Sequence, residues 1–248
     1  MEVHHHPDLH HRRKKFKEYF LEFLMIFLAV TMGFLAESLR ENISDKEKEK
    51  EYISSFIDNL KKDTVDCAAV IRENQDKLDK LKKLIALSKA NIRDTGVRRS
   101  LYRYTFQSVG FYSVFRSSDA TMLQLKNSGG LRLIRKDHVA DSIGQYDNEM
   151  KYIYAAETMY QNGTDAALLA TQEILDYTVA NDSTYEKGGR LAGALLPLLS
   201  DDDRKVRWMF NKIDYEIGAT RNYLNNMRRR FPFMVRMIGY LQKEYDIE

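Results

Sequence analysis

The chain has 248 residues, of which 44% are hydrophobic and 30% charged, and its formal net charge is +3. So small an excess over so long a chain gives no support for a nucleic-acid partner, and the single cysteine, Cys67, excludes an internal disulfide framework. No proline lies between Pro7 and Pro197, which, with many Leu, Lys, Glu and Ala, predicts an all-α protein.

Residues 1–18 read as a polar tail. Five of the six histidines fall in MEVHHHPDLHH. Such a tract can bind metal, but Pro7 interrupts it, and a polar segment ahead of a basic membrane flank is the simpler reading. Arg12, Arg13, Lys14, Lys15 and Lys17 form that flank.

Residues 19–39, YFLEFLMIFLAVTMGFLAESL, are the only stretch apolar enough to leave water. The uncharged core, Phe23 to Ala36, is fourteen residues, or about 21 Å of helix against a hydrocarbon layer of roughly 30 Å. Spanning therefore uses the whole stretch, with Glu22 and Glu37 near the two faces. A signal peptide would share the basic start, and Ala36-Glu37-Ser38 could be its cleavage site. The run continues, however, into a charged helical pattern with no Pro or Gly turn. A retained transmembrane helix fits better than a cleaved signal or a buried core helix. Lys and Arg number five before the span and four just after it, Arg40, Lys46, Lys48 and Lys50. The compact N-terminal cluster predicts a cytoplasmic N-terminus and a domain outside the cytoplasm, in the periplasm if the source is a Gram-negative bacterium.

Glu22, Ala29, Gly33 and Glu37 (or Ala36) recur at helical spacing. Ala29 and Gly33 form a small-x-x-x-small pair that lets helix backbones approach, and acidic side chains on the same stripe favour a partner helix or a wet lumen over lipid. Two interfacial glutamates, a self-association face and an ion path are all compatible with this pattern.

Residues 40–248 read as a helical extramembrane domain. Ile53, Ile57, Leu60, Thr64, Cys67, Ile71, Asn74, Leu78, Leu81 and Ile85 step by fours and threes, a heptad signal that calls for a partner helix. Cys67 on that face reads as an inert core thiol. Asp94-Thr95-Gly96 reads as a turn. The aromatic-rich residues 97–116 are assigned to helix and core. Ser118 or Asp119 caps a short helix that Gly129 or Gly130 ends, and the polar 117–134 stretch, with Arg116 and Arg132, is the place for a small ligand or anion. Val139, Ile143, Tyr146, Met150 and Ile153 carry the next helix from Asp137 toward Ala180. Glu157 is placed at the edge of its packed face and Gly163 is a weak point. After a polar loop at 181–189 and an apolar patch at 191–199, Ser200 and Asp203 form a capping box. The last main helix follows, closed by Arg228-Arg229-Arg230 and broken by Pro232.

The anchor with its flanks, HHHPDLHHRRKKFKEYFLEFLMIFLAVTMGFLAESLRENISDKEKEKEYI, together with FIDNLKKDT and LKNSGGLRLI, resembles a family of uncharacterised membrane proteins from Bacteroidota. The resemblance is close over the anchor and looser over the domain. It implies a single-span protein of a bacterial inner membrane with a helical domain outside the cytoplasm, and transfers no activity and no catalytic residue.

The expected architecture is thus all-α: an N-terminal transmembrane helix followed by a long-helix antiparallel bundle. The expected function is a membrane-anchored helical scaffold or interaction protein of the bacterial envelope, self-associating and without catalysis. Its partners would be the lipid bilayer and another copy of itself or other envelope membrane proteins. A sensor-like ligand-binding domain and a subunit of an ion-conducting assembly are the alternatives. His138 is the only histidine outside the tail, no nucleophile–base or metal-ligand spacing occurs, and neither cofactor nor metal is expected.

Overall fold

The computed structural model describes residues 16–127, 129–181 and 196–247. The histidine tract, most of the basic flank and the polar loop after Asn181 lie outside them, as does 191–195 of the apolar patch. The described residues are all-helical, apart from an isolated bridge between Leu175 and Leu198. In chain order the helices are α1 (Phe16–Ala86), α2 (Thr95–Ser108), α3 (Ala120–Asn127), α4 (Asp137–Gln172) and α5 (Asp203–Tyr245), with short 3-10 turns at Leu87–Lys89, Gly130–Arg132 and Tyr177–Asn181. The chain divides into two units, Met1–Lys50 and Glu51–Glu248.

In the first unit, α1 is the only described element, and it is long and apolar enough to cross a membrane. Its most apolar window is entirely unburied. Phe20, Phe23, Ile26, Phe27, Phe34 and Leu35 are each more than half exposed. An α-helix that is apolar all round has no face to give to water.

The second unit is built on a periodicity that is nearly perfect. On α1 the buried positions include 53, 56, 60, 63, 67, 70, 74, 77, 81 and 84. On α4 they include 139, 143, 146, 150, 153, 157, 160, 164, 167 and 171, and on α5 they include 209, 213, 216, 220, 223, 227, 230, 234, 237 and 241. Each series alternates threes and fours over ten positions, the seam of helices packed knobs-into-holes. A fully buried Leu or Ile on such a seam contributes about 1.5–3 kcal/mol. Seven of the ten expected α1 positions, Ile53, Ile57, Leu60, Cys67, Asn74, Leu78 and Leu81, are buried, whereas Thr64, Ile71 and Ile85 are half-buried, and Phe56, Asp63, Val70, Lys77 and Leu84 widen the face on one side. Apolar residues stand on both sides of the line, so α1 buries the wider face that α4 and α5 together require.

Two hydrophobic clusters result. One joins Ile53–Val70 of α1 to the first half of α4 and the second half of α5. The other joins Leu78–Leu84 to α2, the end of α4 and the first half of α5. Tyr102 of α2 ties the second cluster's loops together: its hydroxyl donates to Pro197 O at 2.5 Å and accepts from Asp176 N at 2.8 Å.

Several local expectations need correction. Asp94 is the N-cap of α2, its Oδ1 accepting from Val97 N at 2.9 Å, so the Asp94–Gly96 turn is the start of a helix. The aromatic stretch is helical only to Ser108 and carries no regular secondary structure from Phe111 to Asp119. The next helix ends at Gln172, short of Ala180. Asp202 caps α5 by accepting from Arg204 N and Lys205 N, leaving Ser200 Oγ to accept from Asp202 N at 3.3 Å. Pro232 does not break α5, which runs on to Tyr245. Proline removes one intrahelical bond, but Pro232 is exposed and Met227, Arg230, Met234 and Met237 stay buried across it. Gly163 is a contact point, since a Cβ there would meet Ala219 Cβ at 3.0 Å. Small residues at that crossing let α4 and α5 approach closely.

Candidate functional site

Two places stand out, one in each unit. On α1, Glu22, Ala29, Gly33 and Glu37 are all exposed, and their spacings of seven, four and four place them on one helix face. A Cβ built on Gly33 meets nothing within 4 Å, so the groove beside Ala29 is open to a second helix. Glu37 is engaged by Arg40 at 2.5 Å, one turn on.

In the second unit the seams carry polar residues between the two hydrophobic clusters: Asn74 and Lys77 on α1, Thr164 on α4, Thr220 on α5, with Glu216 one turn away. Lys77 is 7% exposed and Glu216 fully buried, and Lys77 Nζ stands 2.9 Å from Glu216 Oε1. The same ammonium donates to Phe111 O at 2.6 Å, Thr164 Oγ1 at 3.0 Å and Tyr160 OH at 3.3 Å, and lies 4.6 Å from the Tyr160 ring centre. Tyr160 stacks on Tyr223 with centroids 5.0 Å apart, and Tyr223 OH accepts from Phe115 N at 2.9 Å. Burial lowers the Lys77 pKa, against the pull of Glu216. Burial also raises Glu216 to about 7, against the pull of Lys77 and Thr164. Glu216 Oε2 and Asn74 Oδ1 have no hydrogen-bond partner among the described residues. An ammonium held by four acceptors and a carboxylate held mainly by one cation make a pair whose two halves depend on each other.

Beside this layer opens a cavity of about 240 Å³, lined by Asn74, Lys77, Ser108, Phe111, Tyr112 and neighbours. It lies upstream of the 117–134 stretch. Its Lys77 wall is already committed to protein acceptors, which leaves it acceptor-rich and without a spare cation.

The 117–134 stretch is occupied by structural contacts. Asp63, 1% exposed, accepts from Ser118 N and Tyr146 OH, both at 2.7 Å. Burial raises its pKa, and those two bonds oppose the rise. Arg116 engages Glu157 with both terminal nitrogens, and Gln161 Nε2 adds a bond to Glu157 Oε1 at 2.9 Å. Glu157 therefore sits on the seam rather than at its edge, and Arg116 is spent on it rather than held for an anion. Arg230 turns inward from the arginine triplet, its Nε 2.8 Å from Glu149 and its guanidinium 4.7 Å over the Tyr152 ring. Cys67 is buried, and burial raises its thiol to about 12, which keeps it protonated and unreactive. His138 Nε2 lies 3.2 Å from Glu244 Oε2 at the surface. Among the described residues no three of His, Cys, Asp and Glu gather as a metal-binding group.

Heptad counting could have found Lys77 and Glu216. A strict alternation of fours and threes from Met209 passes through Glu216 and Arg230, and one from Ile53 by threes and fours passes through Asp63 and Lys77. Selecting apolar residues alone skips them. No family model, no curated protein and no solved structure matches the chain.

Proposed function

We propose that this protein is a single-span, membrane-anchored helical scaffold of a bacterial inner membrane, self-associating through its anchor and carrying out no catalysis. The observation that carries the reading is the apolar stretch of α1, which is long enough to cross a bilayer and wholly unburied. Burying those side chains in lipid removes them from water, at about 25 cal/mol per Å². In this reading the N-terminus is cytoplasmic, because Arg12–Lys17 concentrates positive charge ahead of the span, and residues 40–248 are the periplasmic domain, whose long helices pack as an antiparallel bundle. Contacts of Lys77 with Glu216 and of Gln75 with Arg228 support that packing. Ala29, Gly33 and the flanking glutamates form the self-association face.

The test is the mass of the full-length protein in lipid nanodiscs, with cross-linking at native concentration. Oligomers that dissociate when Gly33→Leu fills the open groove are the expected result. Monomer alone, in detergent and in lipid, would remove self-association from the reading. A second reading, a ligand-binding sensor domain, is favoured by the 240 Å³ cavity beside the buried charge pair. A thermal shift with a small envelope metabolite, lost in Asn74→Leu, would bring that reading forward.

A further inference from the structure

Between Arg221 and Lys243, α5 contains six Lys or Arg and no Asp or Glu. Arg230 is buried. The other five, Arg221, Arg228, Arg229, Arg236 and Lys243, are all exposed. Steps of seven relate Arg221 to Arg228, and Arg229 to Arg236 and Lys243, so they share the face of α5 opposite the packed seam. From first to last the ridge runs about 33 Å along a continuous helix.

What distinguishes this ridge is its lack of counter-charges. On α1 and α4 several lysines are matched one turn away: Lys61 with Asp58, Lys80 with Asp76, Lys82 with Asp79, and Lys151 with Asp147. Arg221, Arg229, Arg236 and Lys243 have no ion pair among the described residues, and Arg228 meets only the neutral Gln75, at 2.8 Å. Gln75 also donates to Asp79 at 3.0 Å, but Asp79 is shared with Lys82. Five uncompensated cations in a row repel one another, and an anionic surface relieves that repulsion.

We propose that this ridge docks on an anionic phospholipid surface. The cations do not converge on a point, as they would around one phosphate; they are spread along a line, which suits headgroups distributed in a plane. Long basic side chains reach a headgroup layer while their stems lie on apolar surface, and Val235, 47% exposed, adds an apolar contact beside Arg236. Lipid is chosen over an acidic protein because the same chain carries the exposed span-length apolar stretch; in that choice the proposal rests on the anchored reading.

The test uses full-length protein in phosphatidylcholine nanodiscs, mixed with free vesicles of phosphatidylcholine alone or mixed equally with phosphatidylglycerol. Flotation reads the capture of nanodiscs by vesicles. Capture by the anionic vesicles alone, weakening with salt, is the expected result. Each cation lost should weaken it about fivefold. Arg221→Gln, Arg228→Gln, Arg229→Gln and Arg236→Gln together should therefore weaken it on the order of 100-fold or more. The control pair Lys61→Gln and Lys82→Gln should leave capture unchanged. Equal capture by both vesicles, undiminished capture of the fourfold variant, or tighter binding to soluble polyglutamate than to anionic vesicles would overturn the proposal. Failure of the anchored reading shows separately, as protein that does not enter nanodiscs. The same vesicle comparison on the soluble chain then still reads the ridge.

Discussion

One helix, α1, supplies two opposite answers to the same question of where apolar side chains go. Over residues 19–39 they point in every direction, and Phe23, Phe27 and Phe34 are all more than half exposed. Over residues 53–84 they keep to a stripe, with Ile53, Leu60, Leu81 and Leu84 fully buried. Both regions are rich in Leu, Ile and Phe, so apolar content does not separate them. Periodicity does. A stripe calls for a protein partner along one face, and an all-round apolar surface calls for an apolar solvent.

The largest break in this contrast should come from truncation on the stripe. Leu60→Ala should cost about 2–5 kcal/mol of unfolding free energy, read by urea denaturation. Phe27→Ala should leave the same transition unmoved. Equal losses at both positions would mean that residues 19–39 pack on protein.

Nearly as large is the effect of splitting the buried pair. Lys77→Met leaves the Glu216 carboxylate alone in the core and should cost about 3–5 kcal/mol. Adding Glu216→Leu to Lys77→Met should recover most of that loss, because the uncompensated charge is gone. A double variant no more stable than the single one would show that the polar layer is needed as such.

The same pair sharpens the picture through pH. Glu216 binds its proton more tightly folded than unfolded, so the folded state is favoured where the carboxyl is protonated. Its contribution is therefore full below about 4.5 and lost as pH rises to about 7. Lys77, with its pKa lowered, has the opposite slope in a more alkaline window, gaining as pH rises toward its usual value of 10.5. The difference in stability between wild type and Glu216→Gln should hence change across the 4.5–7 interval. A flat difference would contradict the raised pKa.

Smaller effects test the helix contacts. Gly163→Ala gains helix propensity worth up to about 1 kcal/mol but forces Ala219 to move; overpacking costs about 1–3 kcal/mol. Net destabilisation, relieved by adding Ala219→Gly, is expected. Asp94→Ala removes the α2 cap and should cost about 1 kcal/mol.

Much of this fold was legible. The all-helical class, the span-length stretch at 19–39, the inert Cys67 and the start of α4 at Asp137 follow from pattern and capping chemistry. What escaped were polar residues on buried seams. Asp63, Lys77 and Glu216 look like surface residues by type, and only their three-dimensional partners, Tyr146 and Ser118 for one and each other for the rest, make burial tolerable. Pro232 was misread for a related reason: it sits on the exposed face while the packed face of α5 continues past it. Glu22, Ala29, Gly33 and Glu37 lie on one continuous helix, so their common face follows from spacing alone.

The most direct measurement places a reporter inside the apolar stretch. Trp208 is the only tryptophan, so Phe27→Trp in a Trp208→Phe background gives one emitter at the centre of residues 19–39. In bilayers with bromine atoms deep in the acyl chains, its fluorescence should be strongly quenched and should resist aqueous acrylamide. Emission that ignores the brominated lipid and is quenched freely from water would contradict a bilayer-spanning α1.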